Sequence, residues 1–387
     1  MVGSMNGTIY MPVGEVCSSI SDTYREKKNM VTLINTSDVL EGRVLNHERV
    51  PNSNLKGQFK KTFQRDDILY SEIRPQNRRF AYVDFSPIDY IASTKLMVIR
   101  AKKDVVSPKY LYYFLKNSST VAELQLLAET RSGTFPQITF SEVANLTIPV
   151  PSLAVQEVIV QTMQCLEDKI TCNEQINDNL ADLLQTIYQE RFVNDILAVN
   201  QGVLSDICSY SRDKVAVSEL NIRTYFSTEN MLSGKAGSTE ATSLPTTSQT
   251  TACHKGDTLI SNIRPYFKKI VYCEDKCGCS TDVLCFTPSQ PRYSAYLFST
   301  LYADKFFAFM VAGSKGTKMP RGDKQQIMTY PVVLPSEEEL AGFNTIASPL
   351  LEQIYSNRAE NKRLSILRDT LLPKLMSGEI DVSAVQL

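Results

Sequence analysis

The chain is poor in the groups that most often carry chemistry. It has only two histidines, His47 and His254, and nothing pairs either with a nucleophile, so the commonest general acid–base is missing. No apolar run approaches the eighteen or more residues of a membrane span; the best, Phe306 to Ala312, is core-sized, and no membrane partner is expected. The N-terminus lacks a basic segment followed by an apolar one, so no secretory signal is expected. No Gly-x-x-x-x-Gly-Lys-Ser/Thr pattern is present, which gives no indication of ATP binding, and neither a methyltransferase glycine loop nor an Asn-Pro-Pro-aromatic tetrad occurs. The nine cysteines are odd in number and scattered, which fits a reducing compartment better than a disulfide framework and points to a cytoplasmic protein. Cys273, Cys277, Cys279 and Cys285, with Cys253 and His254 upstream, lack the paired Cys-x-x-Cys spacing of zinc knuckles, so no metal is expected.

What the sequence does have is a long heptad ladder, and it has it twice. Leu166, Ile170, Asn173, Asn177, Leu180, Leu184, Ile187 and Arg191 recur every 3.5 residues on average, uninterrupted by proline or glycine. That spacing predicts a long helix with a coiled-coil seam. The ladder returns 184 residues later as Leu350, Ile354, Asn357, Asn361, Leu364, Arg368, Leu371 and Leu375, with both asparagines at matching steps. A seam asparagine costs stability but fixes register when it meets a partner asparagine, so the two helices are expected to pair, and to pair antiparallel.

The globular stretches between the helices repeat as well. Val16, Val31 to Ile34 and Ile68 to Tyr70 read as strand material, and Pro108 to Asn117 as a helix with proline in its first turn. Asp67 to Pro75 (Asp-Ile-Leu-Tyr-Ser-Glu-Ile-Arg-Pro) reads as a strand that Pro75 stops, with a second strand over Phe80 to Phe85. Asp257 to Pro265 repeats the first of these 190 residues on, and Lys268 to Tyr272 answers Arg78 to Tyr82. The loop Ser132 to Pro136 precedes a capping box of Thr139 with Glu142; Gly316 to Pro320 and Asp323 with Gln326 repeat both. Ile148 to Ser152 and Val332 to Ser336 lead out into the two helices. The expected domains are therefore residues 1–151 and 200–335, followed by long helices at 152–199 and 336–387. The copies diverge most in the Ser-, Thr- and Gly-rich tract Ser233 to Thr251, expected as a mobile loop.

Charge follows this partition. Residues 152–200 carry eight acidic side chains against two basic, and residues 336–380 seven against five, which leaves 34 basic and 27 acidic residues elsewhere, an excess of +7. Basic globular parts and acidic helices are what a protein meeting a polyanion through its domains would have. Arg74, Arg78 and Arg79, with Arg264, Lys268 and Lys269 in the second copy, surround the strand-to-strand turn. Such side chains can grip phosphate or read guanine, the alternative being a solvated turn held by salt bridges. Lys315, Thr317, Lys318, Arg321 and Lys324 surround the second Gly-Thr loop; the first offers Arg131, Thr134 and Gln137. Each loop could cradle a phosphate, or Gly133 and Gly316 could simply permit a turn. Asp257 with Glu274 and Lys276 imitates a nuclease set, but the first copy has Asp84 and Ser86 opposite Glu274 and Lys276, which argues against cleavage chemistry.

The doubled Ser-x-Ile-Arg-Pro strand (Ser71 to Pro75, Ser261 to Pro265), the doubled Gly-Thr loop before a capped helix, and the closing Arg368-Asp-Thr-Leu-Leu-Pro-Lys-Leu-Met-Ser-Gly-Glu-Ile380 resemble one family. It is the specificity subunit of type I restriction–modification systems, and the likeness covers almost the whole chain. The resemblance implies an α+β fold with two mixed α/β target-recognition domains separated by an antiparallel coiled coil of two long helices. It implies a non-catalytic subunit without cofactors that binds double-stranded DNA at a two-part site, one part per domain. It further implies that the helices dock two methyltransferase subunits and, through them, restriction subunits. The first helix offers Glu167, Asp168, Glu174, Asp178 and Asp182 for such docking. The rival class is a coiled-coil scaffold whose two domains bind proteins.

Overall fold

A computed structural model describes residues 8–26, 28–53, 57–131, 134–194 and 200–382. The chain divides into two compact units, residues 1–171 with 361–387, and residues 172–360, so each long helix contributes to both. No helix among the described residues is long and apolar enough to cross a membrane.

In the first unit the central sheet is antiparallel, built from β1 (Cys17–Ile20), β2 (Ile68–Ser71), β3 (Phe80–Tyr82) and β4 (Leu96–Ala101) in the order β1-β4-β2-β3. Val16, read as strand, instead closes a one-turn helix at Val13–Val16, and β1 begins only at Cys17. The helices α1 (Pro108–Lys116), α2 (Ser118–Arg131) and α3 (Phe140–Ala144) follow, then the long α4 (Leu153–Tyr188). Thr139 and Glu142 do form the box that opens α3: the Thr139 N–H and hydroxyl both donate to Glu142 Oε2, at 2.7 and 2.6 Å. One side of the sheet packs on the helices through Tyr70, Phe80, Tyr110 and Tyr113. The other side closes a second core of Ile34, Phe63, Leu69, Val83 and Val98.

The second unit repeats the plan. Its central sheet consists of β5 (Cys208–Tyr210), β6 (Thr258–Ser261), β7 (Ile270–Tyr272) and β8 (Val283–Pro288) in the order β5-β8-β6-β7, the order of the first. Helices α5 (Ser294–Tyr302), α6 (Asp304–Ala312) and α7 (Lys324–Ile327) precede α8 (Glu337–Ser377). Asp323 caps α7, but Gln326 does not return the bond expected of a capping box. Its Nε2 donates to Phe309 O instead. A tyrosine on the first helix of each domain fastens the exit strand: the Tyr110 hydroxyl donates to Pro149 O at 2.8 Å and that of Tyr296 to Val333 O at 2.5 Å. The tract Ser233 to Thr251 is held by backbone bonds, among them Leu232 N to Gly237 O, Thr239 N to Asn230 O and Ala241 N to Ile222 O. Its end, Gln249–Cys253, is a strand.

Within each unit the two long helices run antiparallel. In the first, Ile159, Val160 and Met163 share a core with Leu372, Leu375 and Met376, and Asn361 Nδ2 donates to Ile170 O at 3.1 Å. In the second, Leu184 and Tyr188 share a core with Leu340, Phe343 and Leu351, and Asn357 Nδ2 donates to Asn177 Oδ1 at 2.9 Å. Asn173 Nδ2 donates to Glu360 Oε2 at 2.7 Å, so the asparagine steps of the ladder bond across the helix pair. The ladder drifts at its ends. Tyr188 is buried where Ile187 was expected, Arg191 is exposed, and Leu372 is more deeply buried than Leu371, the drift of a 3.6-residue helix against a 3.5-residue pattern. Leu166, Ile170, Leu180, Ile187, Leu350, Leu364 and Leu371 are half-buried along the seam, while Leu184, Ile354 and Leu375 are fully buried.

Candidate nucleic-acid interface

The Arg-Pro turn has one backbone design, used once per unit. After β2, Arg74 adopts φ 45°, Pro75–Asn77 form one 3-10 turn, and Arg78 returns to φ 51° before β3. After β6, Arg264 has φ 51°, Pro265–Phe267 form the turn, and Lys268 has φ 51°. A left-handed conformation costs an L-residue about 1–2 kcal/mol, so two such residues in five persist only where the surroundings impose them. A third is imposed next door: Glu41 (φ 45°) donates its N–H to Arg78 O, and Lys235 (φ 65°) donates to Lys268 O, both at 2.9 Å.

The Gly-Thr loops supply the rest of the clamp. Arg74 N donates to Pro136 O at 3.1 Å and Arg264 N to Pro320 O at 2.8 Å, so turn and loop lie side by side in both units. The second loop is closed on itself by paired bonds between Lys315 and Arg321, both 2.9 Å, with Gly316 at φ 102°. Gly316 therefore serves a turn that a side chain would strain; Gly133 lies outside the described residues.

The predicted cations fall into two groups. Several are committed to the protein itself. Arg78 donates to Ser118 Oγ (2.8 Å), Arg79 to Ser37 O (3.0 Å), Arg131 pairs with Glu142 (2.8 Å), and Gln137 accepts from Lys95 (3.3 Å). In the second unit Lys268 pairs with Asp304 (3.0 Å), Lys315 with Asp323 (2.5 Å) and Arg321 with Asp282 (2.9 Å). Lys269 donates to Thr228 O at 2.6 Å, and burial lowers its pKa. The others remain available. Arg74 and Lys318 are exposed and have no bonding partner among the described residues, and Thr134 and Thr317 are exposed on their loops. The Lys324 ammonium lies 6.0 Å from the Tyr210 ring. Arg264 is half-buried, with a buried Nε that no acceptor meets.

Sequence reasoning missed Asp282 and Asp304, because Asp282 and Arg321 lie 39 positions apart and Lys268 and Asp304 36, so only the tertiary fold joins them; Asp323 it read as a cap alone. It also passed over Tyr266 and Phe267, which occupy the second turn where the first has Gln76 and Asn77. The acidic docking surface needs one revision. Glu167 is engaged by Lys116 and by the Tyr113 hydroxyl at 2.9 Å, with Arg368 at 3.9 Å, so it belongs to the packing of the first unit. Asp168, Asp178 and Asp182 are exposed.

The nuclease-like set does not assemble. Asp257 is buried against His254 N (2.8 Å) and Cys285 Sγ (3.2 Å), and Lys276 pairs with Glu219 at 2.8 Å. No group of three or more His, Cys, Asp or Glu among the described residues is arranged to hold a metal ion.

Comparison with known proteins gives a consistent picture. Residues 10–181 match the type I restriction modification DNA specificity domain, a match that ends inside α4. The HindI specificity subunit of Haemophilus influenzae is 40% identical over 187 residues, which is 48% of this chain but only 41% of that relative's length. The MjaIX specificity subunit of Methanocaldococcus jannaschii is 23% identical over 365 residues, about three quarters of each chain. The type I restriction-modification system S subunit from M. genitalium shares the fold with a TM-score of 0.55 at 17% identity, covering 97% of this chain and 98% of that one. A second solved chain, from a study of type I R-M complex assembly, gives 0.52 at 16% identity, covering 98% of this chain and all of that one.

Proposed function

We propose that the chain is a specificity subunit of a type I restriction–modification system, the family its first half matches, and that each of its two domains reads one half of a split DNA target. The observation that carries this reading is the duplicated turn, with the same left-handed residues presented beside the same loop in both units. Two equal frames with different side chains suit two half-sequences. Exposed Arg74 and Lys318 are assigned to phosphate, since most protein–DNA hydrogen bonds go to the backbone. Methylation and cleavage are assigned to partner subunits. The methyltransferase subunits dock on the long helices, where Asp168, Asp178 and Asp182 face solvent, and restriction subunits join through them.

The helix pair acts as the ruler between the half-sites. Four residues inserted after Leu180, matched by four after Gln353 on the antiparallel partner, add about one helical turn, or roughly 6 Å. Duplex DNA advances about 3.4 Å per base pair, so the spacer should lengthen by one or two base pairs while both half-sequences stay the same. Methylome sequencing of a strain carrying the insertion reads the outcome directly. An unchanged spacer, or altered half-sequences, sinks the ruler. The scaffold reading is tested separately by gel shift across a salt series, because binding through phosphates weakens steeply with salt and protein docking by apolar surface does not.

A further inference from the structure

Two large rings stand in solvent at the centre of the second turn. Tyr266 is 50% and Phe267 37% exposed, with ring centroids 4.8 Å apart. Met319, which precedes the Pro320 carbonyl that holds Arg264, is also 50% exposed. Such rings usually seek burial, and an exposed cluster of them marks a contact site.

The ledge is stiff. Left-handed Arg264 and Lys268 bracket it, Arg264 N is tied to Pro320 O, and Gly234 N donates to Phe267 O at 2.8 Å. A stiff presentation means that little entropy is lost on contact. Cations also outnumber acids around it: Arg264, Lys268, Lys315, Lys318 and Arg321 stand against Asp304, Asp323 and Asp282, which pair with three of them. The occupant such a site suits is flat, apolar on its face and polyanionic at its edge. The first unit has the same backbone without the rings, Gln76 and Asn77 standing in their place.

We propose that Tyr266 and Phe267 form an aromatic wedge that stacks on, and partly unstacks, a base step within the half-site read by the second domain, while the first domain holds its half-site without one. This rests on the DNA-reading function proposed above. Aromatic side chains stack on bases whatever their identity, and apolar wedges inserted between base steps open and kink duplexes. Lys318 would steady the flanking phosphate.

The test uses the complex of this chain with its methyltransferase subunits and a duplex carrying the methylome-defined target. Each adenine of both halves, except the methylated one that a methyltransferase itself takes out of the stack, is replaced in turn by 2-aminopurine, whose fluorescence rises when it unstacks. The wild-type complex should brighten positions in one half only. Tyr266→Gln with Phe267→Asn installs the side chains that the first turn already accommodates, so the fold should hold. It should abolish the rise and weaken binding about tenfold. Tyr266→Leu with Phe267→Leu, which keeps apolar bulk without rings, should also lose it. Brightening that survives in both variants overturns the wedge, as does its absence in a wild-type complex that binds the target specifically. Loss of methyltransferase subunits from the variants would make the ledge a protein-docking site and overturn it too. Failure of the wild-type complex to bind any duplex specifically would instead remove the DNA-reading premise, and the wedge with it.

Discussion

The two units keep one backbone and change what fills it. Their central sheets have the same strand order, and their turns the same left-handed residues, yet a conserved-looking acid at the foot of the turn strand is held in two different ways. Asp67 is paired bidentately by Arg100, at 2.7 and 2.8 Å, and accepts Gln64 N as well. Asp257, in the same register, has Thr287 where Arg100 stands and meets His254 N, the His254 ring at 3.8 Å and the Cys285 thiol rather than an arginine. Both carboxyls are about 1% exposed, so position alone does not determine whether a buried acid is supported. The second sheets diverge further. Each keeps a parallel pair and an antiparallel neighbour, but the fourth strand, Val50–Pro51 or Lys214–Ala216, attaches at opposite ends. What repeats is the frame that holds the turn; what varies is the periphery.

The largest expected effect breaks the symmetry at these acids. Asp67→Asn leaves Arg100 facing a neutral amide in a mostly buried site and should destabilise the first unit by about 2 kcal/mol. Asp257→Asn removes a buried charge that neither arginine nor lysine pairs with and should leave the second unit unchanged or more stable. Urea unfolding followed separately for each unit, by hydrogen exchange of β2 and β6, measures both. Equal losses in the two units would show that the arginine is not what distinguishes them.

A smaller effect sharpens the same contrast through pH. Burial raises the Asp257 pKa above the ordinary carboxylate value. Its folded form thus holds the proton more tightly than its unfolded form, and stability present below the unfolded pKa is lost as pH rises through the folded one. The melting temperature of Asp257→Asn minus that of the wild type should therefore widen upward across that window and then level off. A gap that stays flat from acid to neutral pH would mean that the carboxyl is solvated in the folded state.

These contrasts also mark where the sequence stopped being informative. The doubled turn, the capped helix at Thr139 and the asparagine ladder are local patterns, written in residues three to nine apart, and the structure carries them at the expected places. Left-handed Arg74, Arg78, Arg264 and Lys268 were invisible, because nothing in an arginine announces a conformation that neighbours must impose. The Asp67–Arg100 pair spans 33 positions, and the salt bridges that occupy Lys268 and Arg321 span 36 and 39, so composition counted those cations as free. Only the repeat itself hinted at them, by returning charge to the same turn twice.

The smallest expected effect concerns the cysteines, where the second core replaces the larger apolar side chains of the first. Cys253, Cys273 and Cys285 occupy the register positions of Phe63, Val83 and Val98, and with Cys277 and Cys279 they fill a core whose counterpart is aromatic and aliphatic. The Cys273 and Cys277 sulfurs are 3.5 Å apart, an ordinary packing distance for thiols that serve as small hydrophobes. Cys273→Val makes the second core resemble the first at its best-matched position and should change stability by less than about 1 kcal/mol. Thiol titration supplies the companion measurement. Of nine free cysteines only Cys165 and Cys172 are exposed, so the native protein should show two fast-reacting thiols before and after the change, and the denatured protein nine and then eight. A third fast thiol in the native wild type would show that this core opens, and a large loss of stability in Cys273→Val that the sulfurs do more than fill space.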